Sequence, residues 1–332
     1  MTFPTSLRDS SGPTVAVELA AHRVSAARLE SRGGQSVIAA HAEEPLPDGA
    51  LVPSLTAHNA HDRGAVLAAL GRVLDRTERP RRLGLVVPDL VAKVSLVRFE
   101  QVPSRAADLD QLVRWQVRKT TPFAIDDAQL TYVPGVRAPD GQEFIVSVAR
   151  RDVVEEYESL CAEAGAHAGI VDISTFNVVN LVIAASALSS IDWLLVNVAT
   201  DYASIAILRG EHVIFFRNRS ADTEGTLADL VHQTAMYYED RIEGAGFGRV
   251  FLTGVAGACA RQGGDVDQIR RSLQERLTTP VEMVDPRAAA GLTDRIAAAP
   301  ALLDTLAPLV GLLLRGREVN VTWQAAEQRS LK

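Results

Sequence analysis

The sequence predicts an α/β protein made of two copies of one structural unit, with a small α+β subdomain inserted into the first copy. Three observations carry that prediction. Three strands, a helix and a strand occupy residues 14–88, and the same order begins again near Asp192, about 180 residues further on. Residues 93–171 interrupt the repeat with a strand–helix–strand–strand–helix pattern of their own. The 332 residues, 47% apolar and 23% charged, suffice for one large core or two ordinary ones.

In the first copy, "TVAVELAAHRVSAARLE" (14–30) holds two apolar, β-prone runs, Thr14–Leu19 and Val24–Glu30, around the break Ala20-Ala21-His22-Arg23. This reads as a hairpin, yet the break lacks the Gly, Asn or Asp that tolerate positive φ in tight turns. It is either an ordinary turn or a phosphate-binding turn without its glycine. A third strand, Ser36–Ala40, precedes a polar loop from Pro45 to Asp62. "RGAVLAALGRVLDR" then sets Val66, Leu67, Leu70, Val73 and Leu74 on one helical face. "RLGLVVP" (82–88) is a short, continuously apolar strand of the kind buried in a mixed or parallel sheet.

The insertion starts with the strand "KVSLVRFEQV". Ser104 is the expected N-cap of the helix "RAADLDQLVRWQVRK", which stops before Pro122. "AQLTYVPGV" and "EFIVSVAR" form a hairpin around Pro139-Asp140-Gly141. "RDVVEEYESLCAEAG" is an amphipathic helix with Val153, Tyr157, Leu160 and Ala164 in line, and "GIVDI" (169–173) closes the unit. After a helix over 174–189 the repeat returns as "DWLLVNVA", "YASIAILRG" and "HVIFFRNR". A long helix from Thr226 to Glu243 is expected to stop at Gly244. Then come the strand "RVFLTGV", a helix Val266–Leu277, a strand Val281–Val284 and a closing helix Leu302–Arg315.

A formal net charge of -7 argues against a general nucleic-acid or anionic-membrane surface. Met1–Thr14 is polar and carries Pro4 and Pro13, unlike a signal peptide. The most apolar region, Phe176–Ala199, is broken by Asn177, Asn180, Asp192 and Asn197, and reads as a buried helix and strand instead of a membrane span. Cys161 and Cys259 have no CxxC spacing and fit a reducing cytosol.

Two meanders, each followed by helix–strand units, make the layout of an actin-like (ribonuclease H-like, duplicated) fold. The pieces "RWQVRKTTPFAIDDAQLTYV" (114–133), "IVDISTFNVVNL" (170–181) and "LAPLVGLLLRG" (306–316), in this order and spacing, resemble the PilM family of type IV pilus assembly proteins, related to the cell-division protein FtsA. The resemblance spans residues 13–318. It implies a first actin-like subdomain at 1–92 and 171–190, an inserted subdomain at 93–170, a second actin-like half at 191–318 and a tail at 319–332.

In that family the first hairpin resembles G-I-D-I-G-S-S-S-V. Here Glu18 stands for the aspartate and Ala20 for the turn glycine, with Ala21 and His22 following. The glycine lets backbone N–H groups approach phosphate, and the carboxylate holds Mg²⁺ through water. The second hairpin resembles D-I-G, and here it reads Asn197-Val198-Ala199, with Thr200 beyond. The adenosine segment resembles L-S-G-G-G and reads Leu252-Thr253-Gly254-Val255-Ala256, where only Gly254 is kept. The resemblance thus implies ATP with magnesium as the family cofactor, while Ala20, Asn197, Ala199, Val255 and Ala256 argue against hydrolysis.

Glu18 is either a metal-site remnant or a polar residue at a strand end. Asn197 and Thr200 read as satisfying the turn backbone. His58 and His61, with Asp62, lack a third spaced zinc ligand. Cys161 reads as core, and Cys259 as part of a small-residue loop. "RTERPRR" (76–82) suits a helix C-terminus. In "MYYEDR" (236–241), Tyr238 continues the buried stripe and Tyr237 faces outward. No Ser–His–Asp set, Walker loop or paired-carboxylate pattern is apparent.

The expectation is a cytoplasmic scaffold, peripheral at the inner membrane, that binds the cytosolic N-terminal peptide of a PilN-like membrane protein. That peptide would lie in a groove between the subdomains of the first half. A pilus motor ATPase, a platform protein, and a homo-oligomer or ring are further partners the resemblance implies. Two other classes stay open: an active actin-like ATPase that switches partner affinity, and an FtsA-like filament protein. The tail, with Trp323 as its one large anchor, weighs against membrane tethering in the latter.

Overall fold

The computed structural model describes residues 12–186, 191–293 and 296–330, with residues 316–330 described by their backbone. The expectations for Met1–Ser11 and for the Trp323 side chain lie outside the described residues. The first unit contains β1 (Val15–Ala20), β2 (Arg23–Arg32), β3 (Gln35–Pro45), α1 (Arg63–Arg76) and β4 (Arg82–Val87). The insertion follows with β5 (Ala92–Phe99), α2 (Ala106–Val117), β6 (Ala128–Ala138) and β7 (Gly141–Arg150). Then come α3 (Arg151–Glu163), β8 (His167–Ile173) and α4 (Ser174–Ala185).

The second unit repeats the plan with β9 (Trp193–Val198), β10 (Tyr202–Arg209), β11 (His212–Ser220), α5 (Leu227–Ile242) and β12 (Arg249–Thr253). It continues with α6 (Val255–Gln262), α7 (Val266–Leu277), β13 (Val281–Met283), β14 (Gly291–Leu292) and α8 (Pro300–Ser330).

The duplication is visible in the sheets. One runs β14-β3-β2-β1-β4-β8 and the other β11-β10-β9-β12-β13. In each, an antiparallel meander adds parallel strands beside its first strand. The central strand β1 is buried on both faces from Val15 to Leu19, which its near-continuous apolar run predicts. Helices α1 and α3 cover the outer face of the first sheet, burying Val66, Leu70, Val73, Tyr157 and Leu160. Helices α5 and α7 do the same for the second, with Leu230, Val231, Tyr238 and Leu273.

Between the sheets lie α4 and α8, whose Val178, Leu181, Leu306, Leu309 and Val310 share one core with Trp193 and Leu195. Their contact is backbone-close at Gly311, where a Cβ would stand 1.7 Å from the Asn177 carbonyl oxygen. The insertion is a separate β5-β7-β6 sheet under α2, with its own core of Val113, Val117, Phe144 and Val146.

Several boundaries differ from expectation. Ser104 does not cap α2: the chain enters the helix through extended Arg105, one residue later, with no side-chain cap. Helix α5 begins as expected at Thr226, which forms a capping box with Asp229, but its left-handed C-cap is Glu243 at φ 56. Gly244 is needed for another reason, since a Cβ there would stand 2.0 Å from the Tyr238 ring. The closing helix extends beyond Arg315 to Ser330. Helix α3 and strand β8, placed by sequence with the insertion, pack on and pair with the first sheet, because their apolar faces complete its core.

Candidate functional site

The two meander hairpins face each other across a cleft between the halves. Glu18, Ala20, Asn197, Ala199, Thr200 and Gly254, six positions scattered over the sequence, all line it, together with His22, Arg23, Asp201 and Asp304. The first hairpin closes through a two-residue loop, Ala21-His22, between the paired Ala20 and Arg23. Neither loop residue has positive φ, so the turn needs no glycine. The second hairpin closes with Ala199 N–H donating to the Tyr202 carbonyl at 2.8 Å.

Most polar groups of the cleft satisfy one another, Arg23 Nε and Asp201 Oδ2 being the buried exceptions. Glu18 is 6% exposed, and its Oε2 accepts from Arg23 Nη2 at 3.0 Å and Ser25 Oγ at 3.4 Å. Arg23 Nη1 approaches His22 Nε2 at 3.4 Å, and His22 Nδ1 pairs with Thr200 Oγ1 at 2.9 Å, joining the hairpins. Burial, reinforced by the Arg23 charge, lowers the His22 pKa to about 4, so the imidazole is neutral at physiological pH. The space left among the lining groups is about 40 Å³, little more than one water molecule's share (~30 Å³) and far below the ~300–1,000 Å³ of small-molecule pockets.

Asn197 and Thr200 do not serve their own turn. Asn197 Nδ2 donates to Thr175 Oγ1 at 2.9 Å and Ser174 Oγ at 3.4 Å, because the start of α4 runs beneath the hairpin. Thr175 in turn donates its hydroxyl and, at 3.0 Å, its backbone N–H to the Asp89 carboxylate. Ser204 Oγ donates to the same carboxylate at 2.6 Å, and Asn218 Nδ2 reaches the Asp89 carbonyl at 3.0 Å. Asp89 is fully buried, and burial raises its pKa to about 6 against those hydrogen bonds. Sequence reasoning missed this residue. Its only signal was an aspartate directly after the apolar strand ending at Pro88.

Gly254 has φ 79, and a Cβ there would stand 1.8 Å from the Val198 carbonyl oxygen. The glycine is therefore required by backbone contact between the hairpin strand and α6. Cys259 lies within α6 and not in a loop, since the alanine-rich run Val255–Gln262 favours helix. The first amides of α6 are met by Asp304 of α8: Ala256 N–H donates to its Oδ2 at 2.7 Å and Gly257 N–H at 3.3 Å. Asp304 was also missed, although an acid inside the apolar run "ALLDTLAPLVGLLL" was a visible anomaly.

Two roomier clefts border the insertion. One, of about 210 Å³, lies between its sheet and the first half, lined by Val87, Val91, Thr131, Ala149, Val171 and Asp172 among others. The other, of about 260 Å³, lies against α4 and β11, lined by Thr131, Tyr132, Ile145, Phe176 and Val213 among others. Strand β6 borders both, and among the described residues it is an edge strand paired with β7 alone. At their shared boundary Asp172 pairs with Arg315.

The remaining sequence candidates find structural partners. His58 Nδ1 stands 3.0 Å from Glu156, whose carboxylate also receives the Asn59 and Ala60 amides at 2.9 and 2.7 Å. Among the described residues no group of three or more His, Cys, Asp or Glu could hold a metal. Cys161 is buried, and burial pushes its thiol up to about 12. Tyr238 is buried and donates to Asp192 at 2.9 Å, while Tyr237 is exposed and packs on Phe215. Trp115 on α2 is 65% exposed. Among the described residues no helix is long and apolar enough to cross a membrane.

The duplicated sheets, the interleaved helices and the cleft between the hairpins define an actin-like fold. The sequence profile of the type IV pilus assembly protein PilM family matches residues 16–245, and the chain belongs to that family. Its fold is similar to a solved PilM–PilN type IV pilus biogenesis complex, with a TM-score of 0.77 and 16% identity over 92% of this chain and 99% of that one. It is also similar to a Bacteroides thetaiotaomicron protein with an actin-like ATPase fold (TM-score 0.50, 10% identity, 87% and 96% coverage). A third similar structure is the cytoplasmic domain of EpsL, an inner-membrane component of the Vibrio cholerae type II secretion system (TM-score 0.50, 9% identity, 92% and 94% coverage). Comparison with curated protein sequences returns no match.

Proposed function

We propose that the chain is a scaffold of a type IV pilus assembly machine, or of a related type II secretion machine. In this reading it works at the cytoplasmic face of the inner membrane, captures the cytosolic N-terminal peptide of a PilN-like protein, and does not hydrolyse ATP. Family membership and the likeness to a PilM–PilN complex support the pilus role. The motor ATPase, the platform protein and a ring of copies belong to the same reading as further partners.

The single observation that carries the nucleotide-free part is the Glu18–Arg23 pair at 3.0 Å. In a working site that carboxylate would hold Mg²⁺, and here a guanidinium takes it. The residues do not fit Mg·ATP: the cleft leaves about 40 Å³, His22 and Thr200 bridge it, and Asp304 supplies the anion at the start of α6. Gly254, which the family pattern ties to nucleotide, has a sufficient reason in the Val198 contact.

For the peptide, the cleft between the insertion and the first half supports capture. The free edge of β6 offers backbone hydrogen bonds, and Val87, Val91 and Val171 offer apolar anchors. Isothermal titration of the purified chain with Mg·ATP, run with and without the partner's N-terminal peptide, tests both parts. The expected result is no heat with ATP and micromolar binding of the peptide. Micromolar Mg·ATP binding that Glu18→Ala abolishes would overturn the scaffold reading in favour of a nucleotide switch.

A further inference from the structure

Arg23 occupies an unusual position. It is the first residue of β2, its side chain is 17% exposed, and it enters the cleft beneath His22. Acidic groups surround it: Glu18 at 3.0 Å, Glu43 at 4.0 Å from Nε, and Asp201 from the opposite hairpin, which lines the same cleft. Two buried polar atoms here have no hydrogen-bond partner in the protein, Arg23 Nε and Asp201 Oδ2. Burial raises the Asp201 pKa, and the neighbouring Glu18 charge raises it further.

Two partly desolvated carboxylates facing one another across a cleft repel strongly unless a cation sits between them. Elsewhere such a cation is often a hard metal ion held by carboxylate, amide and hydroxyl oxygens. Here the remaining oxygens of that kind are present as Glu18, Asp201, Asn197 and Thr200, all lining the cleft. The charge is supplied covalently instead.

We propose that the Arg23 guanidinium, held by Glu18 in the cleft that Asp201 also lines, is a built-in replacement for a divalent metal ion, and that its removal converts the cleft into a divalent-cation site made by the oxygens of Glu18 and Asp201. This rests on reading the cleft as one that does not take Mg·ATP, and it adds the reason. A fixed cation keeps the charge of the cleft balanced at all times, whereas a bound metal would come and go with its ligand. Arg23 acts only through its neighbours, so it is a positioning residue.

The test uses the full chain, with Mn²⁺ as the probe. Free Mn²⁺ is followed by its paramagnetic resonance signal, and melting temperature is followed with 5 mM MgCl₂ or ionic-strength-matched NaCl, a concentration of roughly the size that probes weak sites by mass action. Wild type is expected to take up no Mn²⁺ and to melt at one temperature in both salts. Arg23→Ala is expected to melt lower, to recover part of the loss in MgCl₂ but not in NaCl, and to bind Mn²⁺ with a stoichiometry near one. The double variant Arg23→Ala/Glu18→Gln is expected to lose that binding. Should Arg23→Ala fail to fold, Arg23→Met keeps the length of the side chain and is tested in its place.

Mn²⁺ uptake by wild type equal to that of the variant would overturn the proposal, as would the lack of uptake by any folded Arg23 variant. Neither result would bear on peptide capture, which fails or holds in the titration described above.

Discussion

The molecule has two kinds of cleft between its parts, and they are filled in opposite ways. Between the hairpins, the chain's own charges close the space: Arg23 answers Glu18, Thr200 answers His22, and Asp304 answers the amides of α6. About 40 Å³ remains. Beside the insertion, clefts of about 210 and 260 Å³ are lined mainly by aliphatic and aromatic side chains and by the free edge of β6. A polar cleft whose groups are mostly satisfied gains little from a ligand, since nearly every new contact must replace an existing one. A largely apolar cleft beside the open edge of a strand gains from any peptide that covers both. In the function proposed above, this difference places peptide binding on the insertion side and closure on the hairpin side.

The largest expected effect comes from Gly254→Ala, which tests whether that glycine is structural. A side chain there would adopt φ 79 and run into the Val198 carbonyl, so urea unfolding should show a loss of at least about 3 kcal/mol without any nucleotide present. Gly71→Ala is the contrasting control. It lies in α1 with nothing within 4 Å of its Cβ, and a gain of about 0.5–1 kcal/mol is expected.

Next in size is the pH dependence from Asp89. Its folded pKa of about 6 lies above the ordinary 3.8, so the folded chain keeps a proton that the unfolded chain has lost. This group therefore favours folding most below about pH 4, and its contribution falls by about 3 kcal/mol as the pH rises through 6. Asp89→Asn cannot titrate, so its stability should decline by about that much less than wild type between roughly pH 4 and 7. Equal slopes in urea unfolding at the two pH values would show that the network with Thr175 and Ser204 holds the carboxylate ionised throughout.

Asp304→Ala leaves the Ala256 and Gly257 amides without their acceptor and should cost about 2 kcal/mol, seen as a lowered urea midpoint. The smallest expected change in stability, within about 0.5 kcal/mol, is for Thr131→Trp on the exposed strand between the two insertion clefts. Filling both clefts at that point should nonetheless weaken binding of the partner peptide at least about tenfold, or 1.4 kcal/mol, in titration calorimetry. Unchanged affinity would move the peptide off this surface.

Much of the fold was legible because burial patterns are local. The apolar run of β1, the helical stripe Val66–Leu74 and the second meander each announce their partners' faces, and the repeat of that order implies the duplicated sheets. The insertion's hairpin was legible from Pro139-Asp140, which form the two-residue loop between paired Ala138 and Gly141. What failed was local chemistry with a non-local cause. Gly244 looked like a helix stop but serves the Tyr238 ring, and Cys259 looked like a loop residue but lies in α6, whose start is capped from α8. The positions of the cleft were readable through family resemblance, while Asp89 and Asp304 were not, because no spacing links them to the hairpins.

By itself the sequence determined the two repeated units, their strand order and the loss of glycine at Ala20 and Ala199, since periodicity and residue type are properties of the chain. Only the tertiary structure decided what surrounds those positions. Whether Glu18 is a relic or a working ligand depends on which charge stands 3.0 Å away, and Arg23, though five residues distant in sequence, reaches it only because the β1–β2 hairpin folds back. The same holds for the join between the halves: Asn197, Thr175, Asp89 and Ser204 become one network only when two sheets and α4 converge, and buried polar groups must find partners wherever packing brings them.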